Sequence, residues 1–147
     1  EFFNSFIALT QLPNLLTEFS KENNLEPLIV VACIMILYLL LGCLMDSLAM
    51  ILLTIPVFFP LVMSLDFGLS PEETAIWFGI LTLVVVEVGL ITPPVGLNVF
   101  IINKMAKDVP IIETFKGVIP FLLSDIIRIT LLFLFPSITL MMLWIFY

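Results

Sequence analysis

The chain has 147 residues, of which 62% are apolar and 12% are charged, and its mean hydropathy is +1.28. Because soluble domains carry about 25% charged residues, this composition excludes a water-soluble globule and charge-driven disorder. A net charge of −7 leaves no basic face for nucleic acid, and the absence of His with only two Cys excludes zinc-type ligation and a Ser-His-Asp triad. The composition therefore indicates a membrane protein.

The first half of the chain begins with residues 1–27, which are mixed in polarity. We expect the end of a membrane helix there, followed by a short amphipathic segment at the bilayer interface. Two uncharged runs follow, 28–45 and 47–65, and the first predicts a spanning helix. Because Pro56 and Pro60 each remove an N–H and clash with the carbonyl four residues earlier, the second run predicts a kinked or broken helix.

Asp46 separates these two runs and has two interpretations. If 28–45 and 47–65 form one broken element, Asp46 lies within the membrane and is a functional candidate. If they are separate helices, Asp46 only caps the second one. The residues leave both alternatives open.

The stretch 74–106 is the most informative part of the sequence. Ser70, followed by proline and two glutamates, predicts a helix start after the polar loop 66–73. The helix is apolar to Ile91 except for Glu87, whose role stays open, and the double proline that follows ends it.

After that break, the apolar residues 95–103 span only about 13 Å as a helix, which cannot cross a core of about 30 Å. The segment is therefore either half of a membrane helix or one arm of a re-entrant hairpin over 74–106, and the short apolar length favours the hairpin. Carbonyls at the end of the first helix and N–H groups at the start of the second are the groups that secondary transporters offer to Na⁺ and to anionic substrates. The alternative is a plain proline kink repaired by neighbouring helices.

The chain ends with a polar stretch, 109–117, and thirty apolar-rich residues, 118–147, whose only charges are Asp125 and Arg128. At a spacing of three residues these two charges are expected to pair. Since 118–147 is longer than a bilayer requires, we expect a membrane helix that is tilted, bent near Pro136 or begun by an interfacial arm.

Two motifs carry a resemblance to a known family. Leu41–Ala49, followed by Pro56 and Pro60, and then Gly89–Asn98 resemble the large membrane subunit of tripartite ATP-independent periplasmic (TRAP) transporters. Leu9–Pro13 also fits the turn that precedes this region in the family. The resemblance covers essentially the whole chain and matches the carboxyl-terminal third of a full subunit.

The resemblance implies an all-α membrane protein with a broken helix and a re-entrant hairpin, belonging to the second inverted repeat of an elevator-type transporter. In that scheme 1–27 ends a scaffold helix, 28–117 is a transport-domain repeat and 118–147 is the last membrane helix. The implied function is not enzymatic: it is Na⁺-coupled import of organic acids such as C4-dicarboxylates or sialic acid across the bacterial inner membrane. The implied partners are a small membrane subunit, a periplasmic substrate-binding protein and the remainder of the large subunit with its first repeat.

The resemblance also implies site residues. Na⁺ is the coupling ion, no cofactor is implied, and the sodium-binding positions are Gly42, Gly89, Thr92 and Val95. The substrate cavity lies beside them, at Asp46, Pro93, Pro94, Gly96 and Asn98.

Three other functions remain as alternatives. One is another ion-coupled carboxylate transporter with inverted repeats, which a partner binding protein would distinguish. Another is an intramembrane structural or assembly protein, which would show no response to Na⁺. An intramembrane aspartyl protease is the enzymatic alternative, but neither Asp46 nor Asp125 lies in a Gly-x-Gly-Asp motif.

Overall fold

The computed structural model describes residues 10–106 and 109–146, and the helix end expected within 1–9 lies outside them. The described residues form helices and no strand, so the predicted all-α class is confirmed. In chain order the helices are α1 (Leu12–Glu22), α2 (Pro27–Gly42), α3 (Ser47–Met63), α4 (Pro71–Gly89), α5 (Leu97–Met105), α6 (Ile111–Leu134) and α7 (Pro136–Phe146).

Helices α2 and α3 form an antiparallel pair. The Thr54 hydroxyl lies 3.0 Å from the Tyr38 hydroxyl, and the Tyr38 ring packs edge-on against Phe58. The predicted helix over 28–45 is too long at its end, because α2 stops at Gly42 and the chain turns before Asp46 caps α3.

Helix α3 is continuous through both of its prolines. The alternative of a broken helix over 47–65 is therefore wrong, although each proline lacks the N–H that would close one turn. Packing explains the result: Val57, Leu61 and Val62 of this helix are buried, so tertiary contacts hold the turns on either side of Pro60 in place.

Helix α4 is the centre of the core. It starts at the predicted Ser70 cap, where the structure shows a capping box: the Ser70 hydroxyl accepts from the Glu73 N–H, and the Glu73 carboxylate accepts from the Ser70 N–H. Its Trp77, Phe78 and Leu81 have no exposed surface. Helices α2 and α4 pack against each other and their carboxyl ends meet, so they run parallel, with α3 antiparallel to both.

The carboxyl-terminal region differs from the predicted single helix over 118–147. Helix α6 begins seven residues earlier, at Ile111, and it ends at Leu134, so only Phe135 separates it from α7, which starts at Pro136. Proline at position 136 has no N–H for the Leu132 carbonyl, and the Trp77 indole of α4 donates to that carbonyl at 2.9 Å. The predicted bend near Pro136 is confirmed, as is the Asp125–Arg128 ion pair at 2.8 Å.

Among the described residues, one helix is long and apolar enough to cross a membrane, namely α6. Helices α2 and α3 and the stretch Pro136–Ile145 are apolar but shorter. Many apolar side chains on these helices face outward, such as Leu48, Leu52 and Phe121, each more than 60% exposed. That surface suits a lipid or protein environment.

Candidate functional site

The carboxyl ends of α2 and α4 meet at two glycines. A Cβ atom added to Gly89 would lie 2.7 Å from the Gly42 Cα atom and 2.9 Å from the Gly42 carbonyl carbon. A Cβ atom added to Gly42 would lie 3.1 Å from the Gly89 Cα atom. Only glycine at both positions therefore allows the two backbones to approach this closely, and the two non-helical segments that follow, 43–46 and 90–96, start side by side.

Hydrogen bonds hold the first part of the 90–96 segment. The Thr92 N–H donates to the Gly89 carbonyl at 3.1 Å, and the Thr92 hydroxyl donates to the Val88 carbonyl at 2.6 Å. The Leu90 carbonyl, which Pro94 deprives of a helical donor, accepts from the Asn98 N–H of α5 at 3.1 Å. The start of α5 is thus tied to the end of α4.

The carbonyls of 91–95 accept no bond from any backbone N–H of the described residues. One of them, Pro93, lies 3.7 Å from the thiol sulfur of Cys43, which also donates to the Leu39 carbonyl at 3.2 Å. Cys43 is buried, so this contact lies between the two chain segments rather than at the surface. Free carbonyl oxygens at a helix end carry partial negative charge and are suitable ligands for a cation.

The substrate-cavity residues are not all brought together. Asp46 is exposed and accepts from the N–H groups of Leu48 and Ala49 at 3.1 and 3.3 Å, so in this structure it is the N-cap of α3. That is the geometry expected if the two runs are separate helices. Pro93 and Pro94 are exposed beside the glycine pair, and the peptide between them is cis.

Gly96 begins α5 in a left-handed conformation, with φ of +54°. A Cβ atom there would also lie 3.1 Å from the Phe115 ring of α6, so the ring would have to shift, and the left-handed backbone itself favours glycine. Asn98, in the first turn of α5, contributes its N–H to Leu90. Helix α5 is fastened to α6 at its other end, where the Asn103 amide donates to the Thr114 hydroxyl at 2.8 Å.

The four residues predicted to bind sodium lie at different places in the structure. Gly42 and Gly89 touch, and Thr92 follows them by one turn. Val95 is 38% exposed. Sequence reasoning missed Cys43 and Phe115, because nothing in the local pattern of an apolar run distinguishes residues that touch a distant segment.

Comparison with known proteins identifies the family. The family described as "Tripartite ATP-independent periplasmic transporter, DctM component" matches residues 1–138. The chain belongs to this family. The resemblance carried by the two motifs is therefore confirmed, and it favours a TRAP system over another class of carboxylate carrier.

Several TRAP large permease proteins are similar to the chain. The sialic acid TRAP transporter large permease protein of Vibrio cholerae is 29% identical over 95% of this chain, and the C4-dicarboxylate protein of Pseudomonas aeruginosa is 31% identical over 94%. The ectoine TRAP transporter large permease protein of Halomonas elongata is 30% identical over 94%. The chain spans 31% of the length of each of these relatives. No solved structure matches the chain.

Proposed function

We propose that this chain forms part of the large permease subunit of a Na⁺-coupled TRAP importer of organic acids in the bacterial inner membrane. Its substrate class would be that of its relatives, among which are permeases for sialic acid and C4-dicarboxylates. Its partners would be the remainder of the large subunit, a small membrane subunit and a periplasmic substrate-binding protein. The family match supports this proposal.

One observation carries the proposed ion site: two parallel helices end side by side at Gly42 and Gly89. The chain that leaves the second helix has carbonyls, at 91–95, with no N–H donor among the described residues. In a membrane, unpaired backbone is tolerated only inside protein or beside a water-filled cavity. Unwound carbonyls of this kind coordinate Na⁺ in secondary transporters.

The Thr92 hydroxyl would be a further oxygen ligand. Its proton is donated to the Val88 carbonyl, which leaves the lone pairs of the hydroxyl oxygen available to a cation. The N–H groups at the start of α5 carry partial positive charge and would face the acidic group of the substrate. In this proposal 74–106 forms the re-entrant element of the repeat, with α4 and α5 as its arms.

Replacement of Thr92 tests the ion site in the complete transporter. Thr92→Val keeps the side-chain shape and removes one oxygen. The Na⁺ concentration for half-maximal uptake should rise about tenfold if the ligand contributes about 1.4 kcal/mol. Thr92→Ser keeps the hydroxyl and serves as the matched control, with Na⁺ dependence near that of the wild type. An unchanged Na⁺ dependence in Thr92→Val, at normal expression, would contradict the proposed site.

A further inference from the structure

A groove of about 340 Å³ runs between α3 and α4, on the outer surface of the described residues. Ile51 and Ile55 of α3 form one wall, and Ala75, Gly79 and Leu83 of α4 lie along it. A Cβ atom added to Gly79 would meet nothing within 4 Å, so the groove is open at its centre. Residues spaced by four form one ridge on a helix surface, and grooves along such ridges receive other helices.

Glu87 lies on the same ridge, one turn beyond Leu83. It is exposed on an otherwise apolar stretch, and it has no hydrogen bond or ion pair among the described residues. The bases with described side chains are already engaged: Lys104 lies over the Phe100 ring, and Lys116 and Arg128 pair with acids of their own helix. None of these three bases is therefore available to pair with Glu87.

We propose that this groove is the docking site of an apolar membrane helix from the remainder of the large subunit. That helix would approach closely at Gly79 and place a basic or amide side chain opposite Glu87. About two thirds of the length of the relatives lies outside this chain, and it supplies the candidate helices. The inference rests on the proposed place of the chain within a larger subunit.

Two other occupants fit the chemistry less well. A lipid acyl chain offers no partner for the Glu87 carboxyl group. A second copy packed in parallel would bring Glu87 against Glu87, and an antiparallel copy would bring it to the end of α4 that carries Glu72 and Glu73. Like charges repel strongly at the short distances of a packed interface.

Photo-crosslinking in native membranes tests the proposal in the complete transporter. The exposed Leu83 is replaced by p-benzoylphenylalanine, and the adduct is identified by mass spectrometry. We expect one main product, joined to an apolar helix of the same subunit outside residues 10–146 that bears a basic or amide side chain. The same replacement at the exposed Phe121 of α6 is the control and should not give that peptide. Products with lipid only, with α4 of a second copy or with the small subunit, or no product above the Phe121 control, would overturn the proposal.

A matched glycine pair tests whether the cross-link reports packing in the groove. Gly79→Leu fills the groove without meeting any atom of the described fold, and it should lower the Leu83 cross-link yield about tenfold, the factor that corresponds to about 1.4 kcal/mol. Gly117→Leu, at another glycine with open space around it, should leave the yield unchanged. An unchanged yield in Gly79→Leu would contradict the proposal.

The polar contact at Glu87 has its own variants. Glu87→Leu should lower the yield more than Glu87→Gln, because glutamine keeps a hydrogen-bonding group. Uptake assays on the same membranes separate this inference from the proposed function. Normal Na⁺-dependent uptake with lipid-only products overturns the docking site alone, whereas the expected cross-link without Na⁺-dependent uptake overturns the proposed function alone.

Discussion

Pro56 and Pro60 lie inside the continuous helix α3, whereas Pro93 and Pro94 lie in the non-helical segment between α4 and α5. Each pair of prolines removes two backbone N–H groups from the chain. The residue before a proline is disfavoured in the helical conformation, and adjacent prolines impose this on two successive residues. Prolines four residues apart disfavour the helical conformation at only one residue each, and the helical residues on either side can hold that residue in place. The comparison teaches that adjacent prolines end a helix, whereas prolines four residues apart leave its continuation to packing.

The largest expected effect comes from removing the adjacent prolines. In Pro93→Ala/Pro94→Ala, helix propensity favours continuation of α4 by about 3 kcal/mol for each proline. The carbonyls of 91–95 would then find helical N–H donors and be lost as ion ligands. We expect the double variant to insert and assemble normally and to lose Na⁺-dependent uptake, measured in membrane vesicles.

The matched control is Pro56→Ala/Pro60→Ala, in which α3 is already continuous. This variant should keep Na⁺-dependent uptake, since no carbonyl of the proposed site changes its partner. Wild-type uptake in the Pro93→Ala/Pro94→Ala variant would mean that the 90–96 segment is a packing kink, and the proposed ion site would have to be withdrawn.

A medium effect is expected where a single proline ends a helix. Pro136 leaves the Leu132 carbonyl without a helical donor, and the Trp77 indole replaces it. Trp77→Phe should lower the free energy of unfolding by about 1–3 kcal/mol, because the carbonyl loses its partner. In a Pro136→Ala background the residue 136 N–H becomes available, so the same substitution should cost less. Equal costs in both backgrounds, measured by unfolding in detergent, would contradict this account.

The smallest expected effect concerns the turn between α2 and α3, residues 43–46, which contains no proline. Asp46 caps α3, and Asp46→Ala should lower the free energy of unfolding by about 1 kcal/mol, because two N–H groups lose their acceptor. Asp46→Asn keeps an acceptor and should retain both stability and uptake. Loss of uptake in Asp46→Asn at unchanged stability would instead assign the carboxylate to the substrate cavity.

Much of the candidate site could be predicted from the sequence, because the residues that mark it act on the local backbone. The double proline and the two glycines mark where helices end, and the family resemblance assigned them to one site. The contact between Gly42 and Gly89, 47 positions apart, was not accessible. Neither was the contact of Cys43 with the Pro93 carbonyl, since every residue of an apolar run has similar hydropathy whichever segment it touches.

The sequence by itself determined the helical class and the helix start at Ser70–Glu73, because caps and proline act on bonds within one turn. Only the tertiary structure decided that α3 continues through its prolines, that Asp46 is a cap and that α6 begins at Ile111. Those outcomes depend on packing between residues far apart in the chain. Helix stability in proteins comes mainly from such packing rather than from local propensity, and a local pattern therefore leaves it open.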